Sequence, residues 1–394
     1  MTCLHLIPAA TLLALLSAGL AAAQSEGPAG EPAAGSTTET KSAEPRDLFY
    51  RDLDYGSASQ LNPLTVWLNG AYDIFRDYAY QSNVLKVDYR TGVENVWSNI
   101  THPIARVRSR GVNDFIAHEV FPFRSLAQEH GQFVPNYLSH LFGEAMLYRE
   151  LGEWYRHQGA PTPDLLGAAT IALMQYANEV VENGSYRGNN TDPIADLCFF
   201  NPAGLILFSI DAVAEAFAGP LRLDYWPGQA VLDMREGYLF NSGENFALKV
   251  PLGGWTRVRG FFYYSMEGLF GASVPVNDGD SVSAGVGFRP LTIRVEDPDA
   301  RARVLVPTGK QNLEVGVFWD RNESLMASLV VAGTTNRSVQ LQVYPGVLAS
   351  EWVTIGAYLQ ASEWDGVGAG LTLALAPVVP GVLFNRGHGQ EVFH

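Results

Sequence analysis

The chain has 394 residues, 47% of them hydrophobic and 17% charged, with a formal net charge of -15. That length suffices for a large buried core. The acidic balance, with no compact Lys/Arg cluster, excludes a nucleic-acid partner, which needs a basic footprint.

From the N-terminus, an apolar run from Leu6 to Leu20 leads into Ala21-Ala22-Ala23. This pattern predicts a signal peptide over residues 1–23, cut before Gln24. Of the two cysteines, Cys3 would leave with it, and Cys198 alone has no intramolecular partner. An exported chain without a disulfide needs a large core or a closed sheet. Residues 24–46, rich in Gly, Pro, Ala, Ser, Thr and Glu, contain no aromatic residue and cannot offset their ordering entropy. They read as a disordered tether.

Residues 47–218 read as a helical domain. The spacing predicts helices over 135–158, opening on Pro135, and over 165–181. A third is expected over 192–217, with a kink at Asn201-Pro202. The latter two are strongly apolar, but Asp196, Asn201, Asp211 and Glu215 interrupt them, so they read as helices buried in protein rather than membrane spans.

Residues 219–394 read as a β domain, in which the period changes to two after about residue 244. Phe246, Leu248 and Val250 alternate with Ala247 and Lys249; Val282, Ala284, Val286 and Phe288 alternate with Ser283, Gly285, Gly287 and Arg289. The same rhythm recurs through Leu313–Trp319, Val339–Val343 and Val353–Leu359, with turn signals such as Asn277-Asp278-Gly279 between the runs. An antiparallel β-barrel of about 8–10 strands follows, which with the helices gives an α+β fold.

An outer-membrane-like barrel explains why one face of these strands is wholly apolar while the other mixes Gly, Ser, Thr, Gln, Arg and Glu. Trp255, Trp319, Trp352 and Trp364 near strand ends fit an interfacial girdle. In Gly366-Val-Gly-Ala-Gly-Leu-Thr-Leu373 the leucines then face lipid and the small residues face inward, leaving room for packed helices. A soluble barrel or sandwich with the apolar face as its core gives the same alternation.

The polar residues able to carry chemistry lie on the helices. His140 and Glu144 are one turn apart in a stripe with Tyr137, Leu147, Leu151 and Tyr155, so they point inward. Glu179 shares a stripe with Ala172 and Tyr176, and Asp196 sits among Leu197, Phe199 and Phe200. Glu153 falls on the polar face. Four ionisable groups on apolar helices must find one another or stay neutral. They form either a structural network or an acid/base site. No H-E-x-x-H or close His pair points to a metal, and no cofactor motif occurs. His102, His118 and His130 read as loop or surface residues. Arg257, Arg259 and Glu267 share one face and are expected to line the lumen, within reach of the helices' carboxylates.

His140 in LSHLFGEAMLY, the acid of YANEVVENG, and DPIADLCFFNPAGLIL together resemble the sparse polar skeleton of VanZ-like and related bacterial envelope proteins. Asn99-Ile-Thr-His102-Pro103 is similar to an N-x-x-H-P element in an uncharacterised envelope family. The resemblance covers residues 95–210 and implies a shared helical core and an envelope location. One residue more than the family spacing separates Asp196 from Asn201, which would rotate Asn201 by about 100° unless a bulge absorbs it.

The reading is thus an exported bacterial envelope protein of the outer membrane, with membrane lipid as partner and a structural or lipid-organising role. Alternatives are a lipid-modifying hydrolase using His140, Glu144 and Asp196, or a small-solute channel.

Overall fold

In a computed structural model of the protein, the described residues are 46–76, 83–122, 134–184, 190–253, 257–296, 305–333, 337–349, 354–362, 366–374 and 376–384. The signal peptide, the tether up to residue 45, His130, Trp255, Trp352 and Trp364 lie outside them.

The helical layer comprises α1 (Pro63–Ala71), α2 (Tyr89–Thr101), α3 (Pro103–Arg110), α4 (Val112–Phe115), α5 (Glu144–His157), α6 (Pro163–Asn183), α7 (Asp192–Ala195), α8 (Asn201–Phe208) and α9 (Asp211–Ala218). Local chemistry sets several starts. Asn62 caps α1 by accepting from the Leu64 and Thr65 amides, with Pro63 in the first turn, and Asp88 caps α2 through the Thr91 amide. Among the described residues, three stretches widen into π-helix: Ile116–Val120, Val134–Gly143 and Asp196–Phe200.

The expected kink site at Asn201-Pro202 is where the π turn Asp196–Phe200 gives way to α8. A π turn ahead of Pro202 eases the crowding its ring would cause in an α-helix. A sharp bend, 86°, falls between α8 and α9, where Ile210 is extended. No single described helix is long and apolar enough to cross a membrane.

Thirteen strands follow: β1 (Asp224–Tyr225), β2 (Val231–Asp233), β3 (Tyr238–Phe240), β4 (Phe246–Pro251), β5 (Arg259–Tyr264), β6 (Gly268–Pro275), β7 (Asp280–Glu296), β8 (Leu305–Arg321), β9 (Ser324–Ala332), β10 (Val339–Ala349), β11 (Thr354–Ser362), β12 (Gly366–Leu373) and β13 (Val379–Phe384). They build one large sheet in the order β1-β4-β5-β6-β7-β8-β9-β10-β11-β12-β13-β2-β3, antiparallel except where β13 meets β2. By strand order the sheet is open, with β1 and β3 at its ends. The count exceeds the expected 8–10 because the short β1, β2 and β3 carry no readable alternation of their own.

These short strands share one register. Tyr225 lies opposite Phe246 and Val231 opposite Phe240, and between them Trp226 N donates to Asn245 O (2.7 Å) and Gly228 N to Gly243 O (2.8 Å). The segments 224–233 and 238–251 therefore run as the two arms of one interrupted hairpin.

The sheet's two faces differ. On β6 to β13 the residues pointing out are aliphatic or aromatic and exposed, among them Val286, Phe288, Val315, Leu329, Leu359 and Leu371. Their neighbours pointing in are buried and often polar, including Ser283, Glu314, Ser328, Gln342, Gln360 and Thr372. Along β4 and β5 the outward residues are instead covered. Phe246, Leu248, Val250, Phe262 and Tyr264 form one core with Leu138, Leu147 and Phe208 of the helical layer. Gly143 shows how close that contact is, since a Cβ there would come within 2.5 Å of the Phe246 ring.

The helices therefore pack on the outside of one wall, which corrects the expectation that they fill the space beside the small residues of β12. That space is taken by the hairpin. A Cβ at Gly368 would meet the Phe240 ring at 2.9 Å, one at Gly370 would meet Val231 at 2.9 Å, and Thr372 bonds to Gln229. Leu371 and Leu373 do face outward and are exposed.

Candidate functional site: a buried carboxylate–imidazole centre

The π segment Val134–Gly143 carries His140 into the helical core one turn before Glu144, the first residue of α5. His140 Nδ1 lies 3.0 Å from a Glu144 carboxylate oxygen and Nε2 lies 3.4 Å from Asp196 Oδ2. Both ring nitrogens thus face acids. Burial opposes the ring's charge, but the two carboxylates outweigh it and hold the imidazole pKa well above its ordinary value. It is an imidazolium clamped at both ends.

Asp196 also bonds to Glu179 of α6. Burial, then the charge of Asp196, raises the Glu179 pKa well above the carboxylate range, so Glu179 carries the proton of that contact. Asn183 Nδ2 donates to Glu179 (3.2 Å) and accepts from Asn190 on its amide oxygen (3.0 Å). The structure therefore brings all four residues expected from the sequence into one cluster.

Three members were not expected. Asp192, at the expected start of the third helix, is buried, its pKa raised by burial and by the charges of Asp196 and Glu119. Glu119 pairs with Arg110, which also donates to Thr191 (2.7 Å), while Asn136 Nδ2 donates to the Glu119 carbonyl (2.9 Å). Two cations, His140 and Arg110, thus face five buried carboxyl groups, and Arg110 also pairs with the exposed Asp114 (3.1 Å). Protons on Glu179 and Asp192 reduce the imbalance. The only sequence signal for Arg110 and Glu119 was their place beside the apolar Phe115 and Val120, which reads equally as surface charge.

The π turn Asp196–Phe200 leads directly into Asn201, which is buried. Gly204 brings α8 against the start of α5 and the π segment before it, where a Cβ would lie 2.8 Å from Ala145 Cβ and 3.0 Å from the His140 carbonyl. Glu153 is a correction. It is fully buried, not on a polar face, and accepts from the Phe49 and Tyr50 amides at 2.8 and 2.9 Å. Its partners come from a segment with no helical period, so a helical wheel could not reveal them.

A second polar centre lies at the sheet. Arg76, on the 3-10 turn Asp73–Arg76, donates to Asp73 (2.9 Å), to Asn245 (2.6 Å) and to Glu267 (3.4 Å), and its carbonyl accepts from Arg289 (3.0 Å). Toward the other end, Lys249 pairs with Asp320 (2.6 Å) and Glu323 (2.5 Å) beneath the Trp226 ring. Glu267 therefore meets Arg76 and not the helices' carboxylates, Arg257 is exposed, and Arg259 is half-buried near Arg222 and Glu323. His102 and His118 stand outside both centres.

The helical centre has the groups of an acid/base site but not its access. His140, Glu144, Glu179 and Asp196 are all buried, and both imidazole nitrogens are occupied. Among the described residues, no group of three or more His, Cys, Asp or Glu is arranged to hold a metal ion. Comparison of the chain with protein-family models, curated proteins and solved structures finds no match.

Proposed function

We propose that the sheet closes into a lipid-facing barrel of an exported bacterial envelope protein, in the outer membrane, and that the helical layer serves as a scaffold with a lipid-organising role. The observation that carries this reading is the belt of exposed apolar side chains on β6 to β13, backed on every strand by buried and often polar neighbours. Water does not favour such a continuous belt; acyl chains do. Closure is supported by the shared register of β1 with β4 and β2 with β3. Counting each interrupted arm once reduces thirteen strands to eleven, and β13 then meets the arm that pairs with the start of the meander. Strands of 9, 11 and 9 residues in β9 to β11 match a tilted crossing of the hydrocarbon layer.

A scaffold role is supported by the sealing of the His140 centre, because a hydrolase needs a free base beside a bound substrate. The channel alternative loses ground to the lumen's contents, where Trp226, Phe261, Tyr263, Phe318 and Tyr344 pack together beside the Lys249 ion pairs. The test is extraction and electrophoresis of the mature chain. Release only by detergent, with a folded band that shifts on heating, is expected. Recovery as a soluble periplasmic monomer overturns the reading.

A further inference from the structure

We propose that the helical layer is itself seated in the hydrocarbon of the bilayer, beside the wall it covers, entering that layer without crossing it. The observation behind this is where α6, and the π turn leading into α8, keep their polar groups. Between Asp164 and Asn178 the exposed residues of α6 are Leu165, Ala169, Ala172 and Leu173, while Gln175 and the next carboxylate, Glu179, are buried. Between Asp196 and Asp211 the exposed residues are Cys198, Phe199, Ala203, Ile206, Ser209 and Ile210, while Asp196 and Asn201 are buried. A helix that faces water carries its charges outward. These two carry theirs inward. Leu165, Leu173 and Ile206 are 66%, 64% and 68% exposed, as open as Leu371 of the strand belt at 60%.

The hydroxyls on these faces do not depend on water either. Thr170 donates to the Leu166 carbonyl (2.9 Å) and Ser209 to the Ile206 carbonyl (2.7 Å). Where helices meet, they use small residues and polar ties, the means of association in a medium that supplies no hydrophobic drive. A Cβ at Gly167 would lie 2.8 Å from the Tyr148 carbonyl of α5, and one at Gly92 would lie 2.0 Å from the Val180 carbonyl of α6. Asn178 donates to the Gly70 carbonyl of α1 (2.7 Å), and Asn95 of α2 to the Asn183 carbonyl (3.2 Å).

Both faces end at ion pairs with α5. Asp164 meets Arg156 (3.3 Å) and Asp211 meets Arg149 (2.7 Å), and the half-buried Trp154 and Tyr155 lie between those arginines in the chain. Charged residues beside amphipathic aromatics suit a headgroup boundary. From there to Asn178 on one helix, and to Asp196 on the other, is about 20 Å at 1.5 Å per residue, against about 25 Å for the apolar band of a barrel. The 86° turn at Ile210 falls at the same boundary, and past it α9 exposes Asp211 and Glu215. Asp192–Phe208 and Asp211–Ala218 are long and apolar enough for a membrane only when taken together, which with that turn is the form of a re-entrant element.

These features select acyl chains over a protein partner, whose contact surface would keep a polar rim among its apolar groups. They also complete the belt. A barrel in a bilayer needs apolar surface on every side, and the helices supply it where they hide β4 and β5.

This inference rests on the barrel reading above, and the experiment separates the two. In a Cys3→Ser chain the exposed Cys198 is the single thiol. It is labelled with a fluorophore, and the protein is refolded into phosphatidylcholine vesicles with or without bromine at mid-chain. Leu371→Cys on β12 and Glu215→Cys on α9, each combined with Cys198→Ser, carry the same label. Quenching by brominated chains is expected at Cys198 to an extent comparable with Leu371→Cys, whereas Glu215→Cys should be reached by aqueous iodide instead. Quenching at Leu371→Cys without quenching at Cys198 overturns the inference and leaves the barrel standing. Absence of quenching at Leu371→Cys overturns the barrel, and the inference with it. Leu173→Lys tests the α6 face without a label, and should lower the folded-to-unfolded ratio in vesicles by roughly tenfold or more. A change within about twofold overturns the seating of α6 in hydrocarbon.

Discussion

Strands β4 and β7 follow the same alternation, with opposite outcomes. On β4 the outward Phe246, Leu248 and Val250 are sealed beneath helices; on β7 the outward Val282, Val286 and Phe288 are exposed. A period of two specifies which side chains share a face. It does not specify what lies against that face. One wall is the interior of an α/β core, and the other presents the same chemistry to the surroundings.

The largest effect that would break this contrast comes from placing the same charge on each wall. Leu248→Arg buries an unpaired cation and should cost about 4–5 kcal/mol by equilibrium unfolding in micelles. Leu371→Arg on the bare wall should cost about 2–4 kcal/mol when folding is measured into a bilayer. A loss within about 0.5 kcal/mol at Leu371 would mean that this wall faces water.

Asp196→Ala sharpens the picture of the covered side. It leaves the His140 imidazolium and the Glu179 proton without their shared partner, for an expected loss of about 3–5 kcal/mol. A loss near zero would show that the helical layer is not organised around this centre. Glu153→Ala orphans two backbone amides, and about 2–4 kcal/mol should be lost in the same assay. A surface residue would lose almost nothing.

The smallest effect is on pH. His140, Glu179 and Asp192 all bind protons more tightly in the folded chain than in the unfolded one, and burial raises Glu150 to about 8. For each, the stabilisation is fully present below the unfolded pKa and is lost as pH rises through the folded value. Thermal stability should therefore fall by a few degrees between about pH 5 and pH 8, with His140→Gln removing the part above about pH 6.5. A Tm that rises over this range would contradict the protonated assignments.

Much of the helical site could be read in the sequence. His140 and Glu144 are one turn apart, and an ionisable group on an apolar stripe has few places to go. Asp192 and Glu119 could not be read, because a helix-start aspartate is as easily a solvated cap and a glutamate in a short helix as easily exposed. Only the packing of α7 against the Ile116–Val120 turn made them neighbours of Asp196.

By itself the sequence determined the change of period after about residue 244, the presence of helices where it places them over 135–158 and 165–181, and which residues of the longer strands share a face. These depend on local geometry, since side-chain direction repeats with the backbone's own period. Tertiary structure decided that the helices lie outside the sheet, that the short hairpin and not a helix fills the space beside β12, and that Glu153 is buried. Each of these depends on contacts between segments far apart in the chain, such as Glu153 with Phe49 and Gly143 with Phe246. No local pattern encodes which of two compatible apolar surfaces will meet, because the hydrophobic effect that joins them has magnitude but no direction.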